Sequence, residues 1–249
     1  MQRKAHFIYL NLSGVIFLFA LVYFQAFIKR DKVPQENHSP AVKIISPKNT
    51  GSFAWNTPIN YEISVADKED GDSKYDEINA KEVLLEVRYV ASKEKMQAIL
   101  NKGAQNDALG LAVIRASNCF NCHNFNSKSI GPSFDDIVKR YPATKPNIDS
   151  MVKRIRQGSS GIWVKEKMPT HPELSVEETK SAVQWILKNG GAGNVDYYTG
   201  LQGSFRIKPP AAANKDGIYV LTASYTDHGL KEALGKRLKG QDMVVIYGK

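Results

Sequence analysis

The sequence predicts a mixed chain: an all-α module combined with an all-β sandwich and preceded by one membrane-spanning helix. Three observations predict it. An apolar run of 22 residues, Phe7 to Ile28, opens the chain, broken only by Asn11, Ser13 and Gln25 among its polar side chains. Period-two hydrophobic alternation fills residues 41–92 and returns after residue 191. Between those stretches the apolar period becomes helical, and both cysteines of the chain fall there.

A run of 22 residues is long enough to cross a bilayer as a helix. Its end, Leu21-Val22-Tyr23-Phe24-Gln25-Ala26, is bulky where signal-peptide cleavage needs small residues, so an uncleaved anchor fits better. Residues 1–6 are then a short cytoplasmic N-terminus. Lys29, Arg30 and Lys32 follow the span, so flanking charge leaves the orientation open. Residues 29–40 read as a polar linker.

Three half-buried strands follow, around Val42–Ser46, Ile59–Val65 and Val83–Tyr89. The acidic turn between the last two, Asp67 to Asp72, reads as a solvated turn, with Ca²⁺ binding as the alternative, because the full EF-hand spacing is missing. Helices are predicted over 93–101 and 107–117, with Asp107 placed to start the second. Two more are predicted over 134–141 and 148–157. Ser175-Val176-Glu177-Glu178 forms a capping box for a last helix to Asn189, ended by Gly190-Gly191. Strands return at 204–207, 218–226 and 243–247.

The second predicted helix runs into Asn118-Cys119-Phe120-Asn121-Cys122-His123. Cys-x-x-Cys-His is the pattern for covalent attachment of a c-type haem: two thiols three apart add to two vinyl groups, and the next histidine lies under the ring. On the motif alone, a redox dithiol, half a zinc site and a plain disulfide stand beside that reading. The βαβ context of the first is absent, and no second cysteine pair exists for the second. His6, His38, His171 and His228 are scattered, and His171 reads as a surface residue beside Pro172.

The chain carries a formal charge of +9. Residues 1–40 contribute +3, 41–100 −2, 101–190 +5 and 191–249 +3. With no long basic run or aromatic stacking platform, this is a mildly basic surface, and no nucleic-acid partner is expected.

Residues of about 104–190 resemble a small bacterial class I cytochrome c. The resemblance rests on the helix into Cys119-x-x-Cys122-His123, on Ile130-Gly131-Pro132 and on Gly158-Ser159-x-Gly161-Ile162-Trp163. It continues through Lys167-Met168-Pro169 and the final helix with Gln184-Trp185-Ile186-Leu187. The resemblance implies one covalent haem c, iron ligation by His123 and Met168, a Pro132 carbonyl accepting from the His123 Nδ1–H, and Trp163 donating to a haem propionate. Met151 falls in a helical stripe with Ile148 and Ile155 and reads as core, as does Trp185. Asp216-Gly217-Ile218-Tyr219 is similar to the tyrosine corner of immunoglobulin-like sandwiches, and the last strands to PKD-like domains. Each β half alone would bury too little, so one discontinuous sandwich is expected, 41–92 plus 192–249, with the cytochrome module at 93–191 inserted, and two separate small modules are the alternative.

The function implied is single-electron transfer, not catalysis. No acid/base or nucleophile constellation appears, so no catalytic residue is assigned. A haem sensor or a cell-surface binding module is the alternative. Bacterial haem attachment occurs outside the cytoplasm, so residues 29–249 are expected on the periplasmic side of the inner membrane. Lys165 and Lys167 flank Met168, and with Lys153, Arg154 and Arg156 they suggest an acidic docking patch on a redox partner.

Overall fold

Alternating side chains set the first sheet. In β3 (Ile59–Asp67) Ile59, Tyr61, Ile63 and Val65 are buried while Asn60 and Glu62 face solvent. The strand pairs antiparallel with β1 (Ala41–Ser46), β4 (Gly71–Asp72) and β7 (Gln202–Phe205). The second sheet has the order β2 (Gly51–Phe53), β9 (Lys239–Gly248), β8 (Gly217–Thr226), β5 (Leu84–Val90), β6 (Val195–Thr199), with only the β2–β9 pair parallel. Both sheets therefore mix strands from before and after the helical segment. They face each other across one core, with Ile63, Val65, Leu85, Leu221, Tyr225 and Ile246 all 3% exposed or less.

The computed structural model describes residues 36–103, 107–163, 166–191, 193–209, 217–230 and 237–249. The predicted span at 7–28, residues 29–35 of the linker and Lys165 lie outside the described residues. Asn37–Lys249 make one unit and Met1–Glu36 another. Among the described residues no helix is long and apolar enough to cross a membrane.

Among the described residues five helices occupy the middle of the chain: α1 (Lys93–Leu100), α2 (Leu109–Ala116), α3 (Phe134–Arg140), α4 (Lys145–Gln157) and α5 (Val176–Asn189). The capping box forms at α5: the Ser175 hydroxyl accepts from Glu178 N–H and the Glu178 carboxylate accepts from Ser175 N–H. Helices α2 and α5 cross where Gly110 leaves no room, since a Cβ there would stand 2.3 Å from the Ser181 carbonyl oxygen. Helices α2 to α5 pack around a second core of Ile114, Phe120, Phe134, Val183 and Ile186, which Leu84, Val195 and Tyr197 of the sheets join.

Four features differ from the sequence reading. Helix α1 does not join the helical core: Met96, Ile99 and Leu100 pack on Val90, Ile218, Val220 and Val245, the outer face of the five-stranded sheet. Strand β6 was not expected. Tyr197 packs on the helices and Tyr198 against the sandwich core, so a large aromatic stands on each face of β6 and the Val195-Asp196-Tyr197 alternation stops after three residues. The acidic turn is consumed internally: Asp67 Oδ1 accepts from the N–H groups of Glu69 and Asp70, Asp72 caps a 3-10 turn, and Glu69 pairs with His38.

The fourth concerns Asp107. Ala108 is the N-cap of α2 and has no side-chain capping bond. Asp107 instead lies in a buried ionic cluster, its carboxylate 2.9 Å from Arg115 Nε and 2.8 Å from Lys239 Nζ. The Arg115 guanidinium also donates to Ser224 Oγ at 2.7 Å and to the Glu82 carbonyl at 3.2 Å. The cluster ties α2 to the sheets. Removing one partner of a buried pair leaves an uncompensated charge, so Arg115→Ala is expected to cost about 3–5 kcal/mol in denaturant unfolding, far more than an exposed Lys145→Ala change.

Candidate haem site

The site grows from one reversal of the chain. After α2, Asn118 takes a left-handed conformation (φ 56°) and turns the backbone into a 3-10 turn at Cys119–Asn121. His123 N–H donates to the Cys119 carbonyl at 3.0 Å, so the histidine stays within the same turn as the first thiol. The loop 129–133 then folds back, with Gly131 N–H donating to the Cys122 carbonyl at 2.8 Å. This return places the Pro132 carbonyl 2.7 Å from His123 Nδ1, which fixes Nδ1 as the donor and leaves Nε2 with its lone pair. Burial holds the imidazole below its ordinary pKa, which keeps it a neutral base. Burial also pushes the Cys119 thiol up to about 11.

Gly131 faces the ring so closely that a Cβ would stand 2.5 Å from His123 Cε1 and 2.9 Å from Nδ1. Behind the ring Phe134 stacks at 5.8 Å and 16°, itself 2% exposed. Phe120 and Phe125 complete this apolar wall.

His123 and both cysteines line an open cavity of about 1010 Å³, mouth included, walled almost wholly by apolar groups. Met168 and Trp163 line the same cavity, as do Pro132 and Gly131. Met168 is fixed by a two-way backbone bridge with Ser159, at 2.8 and 3.3 Å. Gly158 permits that approach: its φ is +79°, and a Cβ would meet the Met168 carbonyl oxygen at 2.9 Å. Met151 is 8% exposed in the helical core and also reaches the cavity wall. Trp163 is half-buried, edge-on to Tyr141 at 6.1 Å, with the Arg140 guanidinium 4.6 Å over its ring. Trp185 packs on Phe125 and Tyr197, away from the cavity lining. His171 pairs with Glu173 at 2.9 Å and does not line the cavity.

The sequence marks one lining residue only as part of the basic rim. Arg154 reaches the cavity and donates to the Tyr141 hydroxyl at 2.9 Å. Its place three residues after Met151 on α4 was the available signal, since i and i+3 share a helix face.

These residues fit a haem. Two thiols and a neutral imidazole stand on one apolar cavity with a thioether, a cation is available for carboxylates, and a glycine leaves free the space beside the imidazole. The cytochrome c family model matches residues 108–190. Cytochrome c-552 of Hydrogenobacter thermophilus is 33% identical over 87 residues, covering 32% of this chain and 88% of that protein. Cytochrome c-551 of Azotobacter vinelandii is 32% identical, covering 31% of this chain and 94% of its own. The crystal structure of wild-type Nitrosomonas europaea cytochrome c552 matches at 30% identity, covering 31% of this chain and 95% of that one, with a TM-score of 0.30. Through residues 108–190 the chain belongs to the cytochrome c family, and Cys119 and Cys122 within that class I domain imply covalently held haem c.

Proposed function

We propose that the chain is a membrane-tethered, extracytoplasmic carrier of single electrons, with one haem ligated by His123 and Met168. The observation that carries the reading is that both cysteines, His123 and Met168 line one cavity. The haem, when bound, supplies a one-electron iron couple. His123 offers Nε2 because Pro132 holds the proton on Nδ1. Met168 offers a thioether, a ligand that favours a high potential. With both positions taken, the site has nowhere to bind a substrate at the metal. Arg154 and Trp163 are placed to meet the carboxylates of the ring, and the apolar lining excludes water.

The tether is residues 7–28, and the inner membrane with residues 29–249 on the periplasmic side is the location that haem attachment requires. The sheets are read as an immunoglobulin-like sandwich, discontinuous at 41–92 and 192–249. In support, the Tyr219 hydroxyl at the start of β8 donates to the Lys208 carbonyl at 2.6 Å, the bond of a tyrosine corner. The redox partner is an acidic protein surface, and nucleic acid plays no part. Lys167 and Lys153 are exposed, and positive charge around the cavity mouth raises encounter rates with such a surface.

The test is charge reversal. Lys165→Glu with Lys167→Glu leaves the proposed ligands in place, so the potential should barely move. The second-order rate with an acidic redox partner should fall and lose most of its ionic-strength dependence. Unchanged rates across a salt series would place docking elsewhere.

A further inference from the structure

The cytochrome c segment ends at residue 190, yet its core does not close with its own residues. Strand β6 of the five-stranded sheet sends Tyr197 into it. The Tyr197 ring stacks on Phe125 at 4.6 Å and 27° and leans on Trp185 at 5.7 Å. Phe125 meets Phe134 edge-on at 5.2 Å, and Phe134 is the ring stacked on His123. Every member between Tyr197 and the imidazole is nearly inaccessible: Tyr197 is 7% exposed, Phe125 and Phe134 2% each. The strand is held on the sheet side by its pairing with β5, where Glu86 lies opposite Tyr197 and Arg88 opposite Val195. Burial and the Glu86 carboxylate push the Tyr197 phenol up to about 12, so it stays neutral.

We infer that Tyr197 is a positioning residue for the haem's proximal histidine, so that the sheets set part of the reduction potential of a domain they do not belong to. The inference rests on the reading of His123 as an iron ligand. A close-packed interior transmits displacement, because its rings have no free volume to absorb it. Take away the Tyr197 ring and Phe125 loses its stacking partner, Phe134 its backing, and His123 the wall that fixes its plane. Water then gains access behind the proximal ligand. The oxidised site carries one more positive charge than the reduced one, so a wetter surround favours oxidation and the potential falls.

Tyr198, the next residue on the same strand, supplies the control. Its ring lies on the opposite face of β6, 6.4 Å from Tyr61 and 6.0 Å from Phe205, in the core between the sheets. Tyr197→Ala and Tyr198→Ala should both lower the melting temperature of the full-length haem-loaded protein. Only Tyr197→Ala should lower the potential, seen as a several-fold smaller reduced-to-oxidised ratio at the wild-type midpoint. Only Tyr197→Ala should speed solvent exchange of the His123 Nδ1 proton in NMR. Tyr197→Phe keeps the ring and should restore both readouts. Should Tyr197→Ala fail to load haem, Tyr197→Leu fills part of the space and should show a smaller shift in the same direction. A wild-type potential and exchange rate in Tyr197→Ala (or in Tyr197→Leu, if that variant stands in for it), or an equal shift in Tyr198→Ala, would overturn the inference. Wild-type protein whose His123 resonances lack an iron-induced shift would overturn the ligand reading beneath it.

Discussion

Gly131→Ala is expected to abolish the low-spin haem spectrum while leaving the sheets folded. The added methyl would stand 2.5 Å from His123 Cε1 and 2.9 Å from Nδ1, inside any tolerable contact. The ring has no retreat, because Phe134 stacks behind it and the Pro132 carbonyl holds Nδ1 at 2.7 Å. Either the imidazole turns away or the loop 129–133 moves and breaks the Gly131 N–H bond to Cys122. Overpacking of this kind costs about 1–3 kcal/mol in stability, and the loss of ligand geometry comes on top of it. Gly191 separates the steric effect from mere backbone strain. Its φ is +68°, nothing lies within 4 Å of a Cβ there, and it does not line the cavity. Gly191→Ala should therefore cost about 1–2 kcal/mol and leave the spectrum intact. Visible spectra and thermal melts of the two variants, side by side, make the comparison.

Met168→Ala should convert the iron from six-coordinate low spin to an open, high-spin site. It should also lower the reduction potential by on the order of 0.1 V, a fraction of the ~0.8 V that axial ligation spans. The thioether favours the reduced iron, and nothing else on the Ser159–Met168 bridge can replace it. Met151 is the rival, since it too reaches the cavity. It sits 8% exposed on α4 beside Val152 and the core. Met151→Leu conserves volume, so it should cost less than about 1.5 kcal/mol and leave the spectrum low-spin. The reverse pattern, with Met151 essential and Met168 dispensable, would exchange their roles.

The helical site was the most legible part of the chain because its chemistry is local. Cys119, Cys122, His123, Gly131 and Pro132 fall within fourteen residues, and Met168 sits in a loop whose Pro169 and Gly158 announce irregular backbone. The capping box at Ser175 and Glu178 is likewise local, and it forms as read. What could not be read was what depends on contacts between distant segments. Strand β6 carries a tyrosine on each face because different cores cover them, so its alternation stops at Tyr197. Asp107 looks like a helix cap until Arg115 and Lys239, 8 and 132 residues away, claim its carboxylate. Helix α1 shows a helical period, but nothing in that period says that its partner is a sheet. Tyr197 is the sharpest case, since its place beside Phe125 follows only from a fold assembled around it.

A single haem is expected, bound through carbon–sulfur bonds at Cys119 and Cys122 with His123 beneath it. Denature the purified full-length protein, extract it with acidified organic solvent, and measure the absorbance left on the polypeptide together with iron per chain. One iron per chain is expected, with a porphyrin that stays with the protein and a low-spin spectrum before denaturation in both oxidation states. A porphyrin that washes out, or zinc in place of iron at the two thiols, would rule that haem out.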